Sequence, residues 1–349
     1  MNNQVFEEMK SIAKDYYIVF LDENDIEKCK YELVNVNNVN WYNISQNQKL
    51  SEEFIREFAD EVDWCYISIY QKLSEEFIRE FASKVDWHHI SINQKLSEGF
   101  IREFADKVNW WYISACQKLS EEFIREFSSK VYWINISINQ KLSKGFIREF
   151  ASNVNWICIS REQKLSEGFI REFADKVDWT CISVYQKLSE EFIRESSNKV
   201  NWDCISKYQK LSKSFIKENN LTISKDNWLY KTKKEKLSYL KKHCKDIYEI
   251  VDDKYIIAYK STKFDGYSTY NFQYQYKENE VYETHCDCNI DNNASFGLSV
   301  WTKEKALEHY KLGKLFKVHI NIEDIGAIVH NNKKIRCSKL TVVSEESFE

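Results

Sequence analysis

Proline is absent from this chain of 349 residues, and only seven glycines and two methionines occur. Turns must therefore be formed by Asn, Asp and Ser, whose short polar side chains bond to the local backbone. Long apolar runs are also lacking, since none approaches the roughly 18 residues that a membrane-spanning helix requires. The N-terminal segment contains acids where a secretory signal would have a basic start. We expect no membrane partner and an intracellular location.

Neither sign of charge is in large excess. The chain has 50 Lys and Arg residues against 54 Asp and Glu residues, which gives a formal net charge of -4. Proteins that bind nucleic acid or membrane surfaces usually have a strongly basic balance, so the composition argues against such a function for the whole chain. Hydrophobic residues make up 43% of the sequence and aromatic residues 15%, which predicts a folded chain and not a disordered one.

Eight tryptophans recur at intervals of 23 residues, each beginning a close copy of the pattern WxxISxxQKLSExFIREFxxxV[DN]: Trp41, Trp64, Trp87, Trp110, Trp133, Trp156, Trp179 and Trp202. A period this regular is typical of repeat arrays, in which each unit packs mainly against its neighbours. Such arrays more often bind partners than catalyse reactions.

Each copy of the pattern predicts two helices. In the second copy Ser74, a favourable N-cap residue, precedes EEFIREFASKV, whose apolar residues recur at helical spacing. Leu73 and Ile78 are placed to form a hydrophobic staple at this start. A shorter helix is predicted to begin at Trp64 and to be capped by Asp63. The cap position is held elsewhere by Asn40, Asp86, Asn109, Asn155, Asp178 and Asn201, with Tyr132 as the exception.

We therefore predict an α-solenoid of short helix pairs in residues 41–220, preceded by an N-terminal capping region in residues 1–40. A strand is the competing interpretation of WxxIS, but an N-cap residue before it and a capped helix after it favour the helical one. The array should end near residue 220, because Ser196 and Asn219 replace the last Phe of the repeat in the final two copies. Handedness is left open.

The residues that follow each Trp vary most between copies, whereas Trp, Ile, Ser, Gln, Lys, Leu and Phe hardly change. On a short helix these variable positions should lie away from the Trp and Ile side and form one exposed stripe. We predict that a protein partner binds this stripe, which includes Tyr66, His88, His89, Trp111, Tyr112 and Asn135. Sequence drift at unconstrained surface positions is the alternative.

Two other features of the repeats have structural explanations. One Arg per repeat, from Arg56 to Arg194, could follow a phosphate backbone, but each has Glu neighbours that favour intrahelical ion pairs. The adjacent His88 and His89 could bind a metal, but neighbours on a helix point about 100° apart. We expect no carboxylate or thiol to complete that site, so we predict no metal there.

Residues 221–252 are predicted to contain a basic linker helix. Thr232 and Glu235 form a capping box, and seven lysines lie between Lys231 and Lys245. An acidic partner or RNA could bind this patch, although a solvated helix face that joins two domains is the favoured interpretation. It is the one place where we allow for nucleic acid.

Residues 253–349 contain several runs rich in β-branched and aromatic residues, together with one helix that begins after Thr302. They predict a small α+β domain that is mostly β. Cys286, Cys288 and Cys337 could bind zinc with His285 or His319, but a CxC without a second close pair favours free thiols. The equally spaced Cys158, Cys181 and Cys204 of the array should also be free thiols.

The QKLSExFIREF repeats, combined with the segments DNWLYKTKKEKLSYLKKH, YIIAYKS, NFQYQY, ASFGLSVWTKEKALEHY and KIRCSKLTV, resemble an uncharacterised repeat family of giant DNA viruses of amoebae, with related C-terminal segments in phages. The resemblance covers nearly the whole chain. It implies a viral origin, a place in the host cytoplasm and a host or viral protein as partner. The family has no known activity, so the resemblance assigns no catalytic residue.

Two functions follow from these patterns. The first is a protein interaction scaffold without enzymatic activity and without a cofactor. The second is an enzyme in the C-terminal domain that resembles ADP-ribosyltransferases, with Tyr259, Ser261 and Thr262 at one strand end and Gly297–Thr302 leading into a helix. The chain has no Gly-rich phosphate loop and no Ser-His-Asp arrangement, so the scaffold is favoured.

Overall fold

A computed structural model describes residues 40–223, 227–263, 266–268, 274–290, 292–293, 295–309 and 313–346, with isolated residues before Asn40. Two compact units divide the chain, residues 1–132 and residues 133–349. Of the predicted N-terminal capping region, the described part includes the antiparallel strands β1 (Val19–Phe20) and β2 (Tyr31–Glu32). The capping role of that region stays a prediction.

Within residues 40–223 sixteen short helices confirm the predicted helix pairs. The helices that begin at Trp have seven residues each and are α1 (Trp41–Asn47), α3 (Trp64–Tyr70), α5 (Trp87–Asn93), α7 (Trp110–Cys116), α9 (Trp133–Asn139), α11 (Trp156–Glu162), α13 (Trp179–Tyr185) and α15 (Trp202–Tyr208). The second helices have six residues each and are α2 (Glu52–Glu57), α4 (Glu75–Glu80), α6 (Glu98–Glu103), α8 (Glu121–Glu126), α10 (Lys144–Glu149), α12 (Glu167–Glu172), α14 (Glu190–Glu195) and α16 (Lys213–Glu218). Within each unit, successive helices that begin at Trp pack on one another, as in an α-solenoid.

The predicted caps are present, but the second helix is shorter than its apolar pattern predicts. Ser74 Oγ accepts a hydrogen bond from the Phe77 amide at 3.1 Å, and Asp63 Oδ1 accepts one from the Cys65 amide at 3.0 Å. The helix after Ser74 ends at Glu80 and does not continue to Val85. Beyond Glu80 the amide of Val85 donates to the Phe81 carbonyl at 3.0 Å. This separate turn places Val85 at the spacing that a continuous helix would give it.

An aromatic cluster fills each repeat. The Trp64 ring lies 4.8 Å from the Phe81 ring and 6.2 Å from the Phe77 ring, measured between centroids. Phe77 and Ile78 are fully buried. Because a helix of six or seven residues is unstable alone, burial of these side chains supplies most of the stability of the array.

In residues 133–349 the array is followed by an antiparallel sheet. The described strands are β3 (Ile250–Val251), β4 (Tyr255–Thr262), β5 (Val281–Glu283), β6 (Leu298–Trp301), β7 (Lys314–Asn321), β8 (Ile325–Val329), β9 (Lys334–Cys337) and β10 (Lys339–Glu346). Their order is β5-β10-β7-β4-β6-β9-β8, with β3 paired to β4. A helix, Lys303–His309, packs on β4 and β6. This arrangement confirms a mostly β domain.

The predicted basic helix spans Lys233–His243 and has the expected capping box of Thr232 and Glu235. Leu240 and Cys244 belong to the same buried cluster as the sheet residues, so this helix packs into the C-terminal core. Lys236 is an exception to the predicted solvated helix face. It is buried, and its Nζ donates to the carbonyl oxygens of Glu323 at 2.9 Å and Ile325 at 2.6 Å.

Candidate functional site

The residue directly after each Trp, here called the first variable position, is exposed in seven of the eight repeats and half-buried at Cys65 in the eighth. In residues 1–132 it is held by exposed Tyr42, His88 and Trp111, and in residues 133–349 by exposed Ile134, Ile157, Thr180 and Asp203. Trp111 has a relative exposure of 46% and Ile157 of 54%, which is high for large apolar side chains. Within each unit these positions form the exposed part of the predicted stripe.

The next residue, the second variable position, faces a neighbouring repeat. The hydroxyl of Tyr66 donates to the hydroxyl of Tyr42 at 2.6 Å, and their ring centroids lie 4.2 Å apart. Two repeats further along, the rings of His88 and Tyr112 meet edge to face at 4.6 Å. The first variable position of one repeat therefore contacts the second variable position of the following repeat.

This geometry corrects the prediction for Asn135. Asn135 holds the second variable position and has a relative exposure of only 8%, so the prediction that it belongs to the exposed stripe is wrong. Tyr66, His89 and Tyr112 are half-buried, whereas His88 and Trp111 are exposed as predicted. A helical wheel on one short helix places all these positions on the outside but omits the coverage by the rest of the fold.

The structure also overturns the prediction that no thiol or carboxylate approaches the adjacent histidines. Cys65, Asp86 and His89 each place one ligand atom so that all three atoms lie within 4.8 Å of one another. Asp86 is the N-cap of α5, and its Oδ1 accepts hydrogen bonds from the amides of His88 at 2.9 Å and His89 at 3.1 Å. Partial burial, and then the nearby carboxylates of Asp86 and Asp63, raise the pKa of the Cys65 thiol.

The thiols of the C-terminal domain form a different arrangement. Cys286, Cys288 and Cys337 are buried, and all cysteines of the described residues are free thiols. His319 stacks on Tyr255 at 4.3 Å and His285 stacks on Phe296 at 5.4 Å, each measured between ring centroids. Among the described residues, the group with three ligand atoms in metal-binding proximity is the one at Cys65 and not this one.

The strand residues named for the enzyme hypothesis belong to the packing of the sheet. Thr262 is fully buried and its Oγ1 donates to the Lys263 carbonyl at 3.0 Å, while Ser261 has a relative exposure of 7%. Gly297 has a φ of +119°, and a Cβ there would lie 2.9 Å from the sulfur of Cys286. Glycine is required at this position by conformation and space, since other residues rarely adopt such a φ.

A contact between the C-terminal domain and the last two repeats was not predicted from the sequence. The Phe296 ring lies 4.6 Å from the Tyr185 ring and 5.9 Å from the Tyr208 ring, measured between centroids. Tyr185 and Tyr208 end α13 and α15, in the variable pair that follows Ile-Ser. His285 covers the other side of this cluster, and burial lowers its pKa. The recurrence of Tyr at Tyr70, Tyr185 and Tyr208 is the one available sequence signal.

Six of the repeat arginines form a close ion pair with a Glu of the next repeat. The Nε of Arg79 lies 2.7 Å from a Glu103 oxygen in the next repeat, whereas its intrahelical distance to Glu75 is 3.8 Å. The Arg79 guanidinium also lies 5.1 Å from the centre of the Phe100 ring. The predicted i,i+4 pairs exist but are secondary, and carboxylates neutralise this row of arginines.

Six of the seven lysines of the basic patch lie at least partly at the surface, and Lys236 is the buried one. A depression of about 460 Å³ on this helix is lined by Lys234, Leu237, Ser238, Lys241 and Lys242. Lys241 Nζ donates to Asp253 at 2.7 Å, which satisfies part of the charge. Binding of an acidic partner or RNA here stays a prediction.

No helix among the described residues has the length and apolar character needed to cross a membrane. Comparisons of this chain with protein-family models, with curated proteins and with solved structures gave no match.

Proposed function

We propose that the repeat array is a protein interaction scaffold without enzymatic activity, and that its partner contacts the first variable positions of successive repeats. The observation that carries this proposal is the contact of Phe296 with Tyr185 and Tyr208. It is an example, within this molecule, of variable array positions that hold an aromatic side chain from a different fold. Tyr70 holds the same position in the second repeat and has a relative exposure of 49%.

The chemistry of the exposed positions favours a protein partner. Tyr42, Tyr70 and Trp111 each have a relative exposure between 46% and 49%. Tyr and Trp are enriched at protein interfaces because they offer large contact areas with few rotatable bonds. The arginines that could bind phosphates are paired with Glu side chains of the next repeat, which disfavours nucleic acid as the partner of this surface.

The division between constant and variable residues supports the same proposal. The constant Ser and Gln side chains are buried and hydrogen-bonded. The residue at the first variable position differs in size, charge and polarity between repeats, while the helices stay the same. Repeat scaffolds change specificity in this way, by substitution on a fixed framework. The resemblance stated above suggests a host or viral protein as the partner and a cytoplasmic setting, and both remain part of the proposal.

The test replaces Trp111 by Thr and Tyr112 by Asn. Other repeats already have these residues at the same positions, as Thr180 and Asn43. Proteins captured from the native host cells by the tagged full chain are then quantified for both forms. The double variant should lose at least about tenfold of the specifically captured protein, because aromatic anchors dominate such interfaces. A Lys118→Ala variant is the control. Equal capture by all three forms would contradict the proposal.

A further inference from the structure

We infer that Cys65, Asp86 and His89 form a binding site for one divalent transition-metal ion of the Zn²⁺ or Co²⁺ type. The three ligand atoms lie within 4.8 Å of one another. Ligands of a tetrahedral zinc ion are about 3.3–3.8 Å apart, given bonds of about 2.0–2.3 Å. Small side-chain rotations are therefore enough to bring the three atoms to a shared ion. This inference does not depend on the proposed interaction function.

The backbone of all three residues is fixed by the repeat framework. The Cys65 amide donates to Asp63 Oδ1 at 3.0 Å at the start of α3. The Asp86 amide donates to Ser68 Oγ at 3.0 Å, which ties the start of α5 to the preceding repeat. Asp86 Oδ1 then accepts from the first turn of α5, which holds His89. A site on such supported elements needs little reorganisation to bind an ion.

Neighbouring repeats show that the three positions do meet. Cys65 holds the first variable position and His89 the second variable position of the next repeat, the same relationship that brings Tyr42 to Tyr66 and His88 to Tyr112. The side chain of the helix-cap residue also contacts the residue at the second variable position of the same helix, as Asp86 contacts His89. In residues 133–349 burial, and then a hydrogen bond to the cap Asp178, raise the pKa of the Cys181 thiol.

The combination of ligands occurs once along the array. The equivalent trios are Tyr42, Asp63 and Tyr66; His88, Asn109 and Tyr112; Trp111, Tyr132 and Asn135; Ile134, Asn155 and Cys158; Ile157, Asp178 and Cys181; Thr180, Asn201 and Cys204. Each of them contains at least one residue that cannot ligate a metal in the usual way. Thiol, imidazole and carboxylate therefore coincide at one of these sets of positions, the one formed by Cys65, Asp86 and His89.

The donor set selects the class of ion. Thiolate and imidazole suit Zn²⁺ and other transition metals, whereas Mg²⁺ and Ca²⁺ prefer oxygen ligands. Metal binding releases the thiol proton to solvent, and the resulting thiolate and carboxylate charges balance those of the dication. Three protein ligands leave a fourth coordination position, which the partial exposure of the site makes accessible to water.

The test is a titration of the chelator-treated full chain with Co²⁺, followed by displacement with Zn²⁺. We expect one equivalent of Co²⁺ with a thiolate-to-metal charge-transfer absorption in the near ultraviolet. Cys65→Thr, Asp86→Asn and His89→Tyr place at each position a residue that another repeat already has there, so the fold should persist. Each should weaken binding at least about a hundredfold, since even the loss of an outer-shell contact costs 10- to 100-fold.

Two control variants separate this site from other thiols and imidazoles. His88→Trp copies the next repeat at an exposed neighbour, and Cys288→Ser removes a thiol of the C-terminal domain; both should bind Co²⁺ with unchanged affinity and absorption. Absence of the charge-transfer absorption in the wild type would overturn the inference. So would unchanged affinity in Cys65→Thr or in Asp86→Asn, which retains a helix cap of the kind found at Asn109.

Discussion

The side-chain amide of Gln94 donates to the backbone carbonyl of Gln71, its equivalent in the preceding repeat, at 2.8 Å. The same amide donates to the Ser68 carbonyl at 3.2 Å, and Gln94 Oε1 accepts from the Leu73 amide at 3.1 Å. Gln94 is buried, with a relative exposure of 6%. One glutamine thus satisfies three backbone groups of the repeat before it, which explains why the residue is constant from copy to copy.

Replacement of Gln94 by Leu should destabilise the array strongly. The variant leaves three backbone groups without their partner, and an unsatisfied buried group costs about 1–3 kcal/mol. We expect the free energy of unfolding to fall by about 3 kcal/mol or more. Urea denaturation monitored by tryptophan fluorescence measures this loss. The exposed neighbour Lys95, changed to Leu, is the control and should change stability by less than about 0.5 kcal/mol. Equal effects of the two substitutions would exclude a framework role for the glutamines.

The ion pairs between repeats predict a weak dependence of stability on acid. A hydrogen bond from Arg171 holds the pKa of Glu195 below its ordinary value of 4.5. Because the folded-state pKa is the lower one, the pair stabilises the fold above pH 4.5 and this contribution is lost as the pH falls through the folded-state pKa.

Arg171→Gln should therefore lower the thermal unfolding midpoint at pH 7, and the difference from the wild type should shrink as the pH is reduced below 4.5. The pair lies at the surface, so added salt should also reduce the difference. Lys164→Gln removes the same charge from another exposed position and serves as the control. A difference that stays constant from pH 7 to the acid range would show that Arg171 acts through packing alone.

The buried Lys260 should make the stability of the C-terminal domain depend on pH in the alkaline range. It lies in β4, has a relative exposure of 9% and donates to the Ser299 carbonyl at 3.0 Å. Burial lowers the pKa of Lys260 to about 8, against an ordinary value of 10.5. The cost of a buried charge is then fully present below pH 8 and disappears above pH 10.5.

We expect Lys260→Met to stabilise the C-terminal domain at pH 7 by up to roughly 3 kcal/mol, the equivalent of the pKa shift. The advantage over the wild type should decrease between pH 8 and pH 10.5. Chemical denaturation across this range measures it. Lys339→Met, at a more exposed position in β10, should show no comparable trend. A Lys260→Met variant that is less stable than the wild type at pH 7 would contradict this expectation. It would mean that the interactions of the charged ammonium group stabilise the fold by more than its desolvation costs.

Because Phe296 contacts the array, shortening its side chain should increase amide exchange locally in the array. Phe296→Ala removes both ring contacts to Tyr185 and Tyr208, so backbone amides near these tyrosines should exchange with solvent faster. Hydrogen exchange measured by mass spectrometry resolves this region. The strands β4 and β7 should keep their protection. Val281→Ala, at an exposed position of the same domain, is the control, and identical exchange in both variants would exclude a stabilising contact.

Local features of the fold could be predicted because they are encoded within four or five residues. Ser74 and Asp63 cap their helices as expected, since both caps depend on side chains and amides close in sequence. The tyrosine at Tyr132 marks the one irregular cap position. The end of the helix at Glu80 was not predictable in this way, because the turn that follows keeps the apolar spacing of a helix.

Contacts between repeats could not be derived from one helix alone. Asn135 lies on the outer side of its own helix but is covered by its surroundings, and Cys65 reaches a histidine 24 residues later. The proximity of Cys65 and His89 follows from the offset of stacked helices, which the period of the sequence does not specify. Lys236 was missed for a related reason. A lysine-rich helix predicts a solvated face, whereas two carbonyl groups of the sheet domain hold this one lysine inside.

The most direct test of the proposed scaffold function is site-specific photo-crosslinking at Trp111 in the cells that naturally make the protein. The full chain carries a benzophenone amino acid at Trp111 or, as the control, at the exposed Lys118. We predict a discrete crosslinked protein at position 111 that is missing at position 118. No discrete adduct at position 111, or the same adducts at both positions, would contradict a partner bound along the first variable positions.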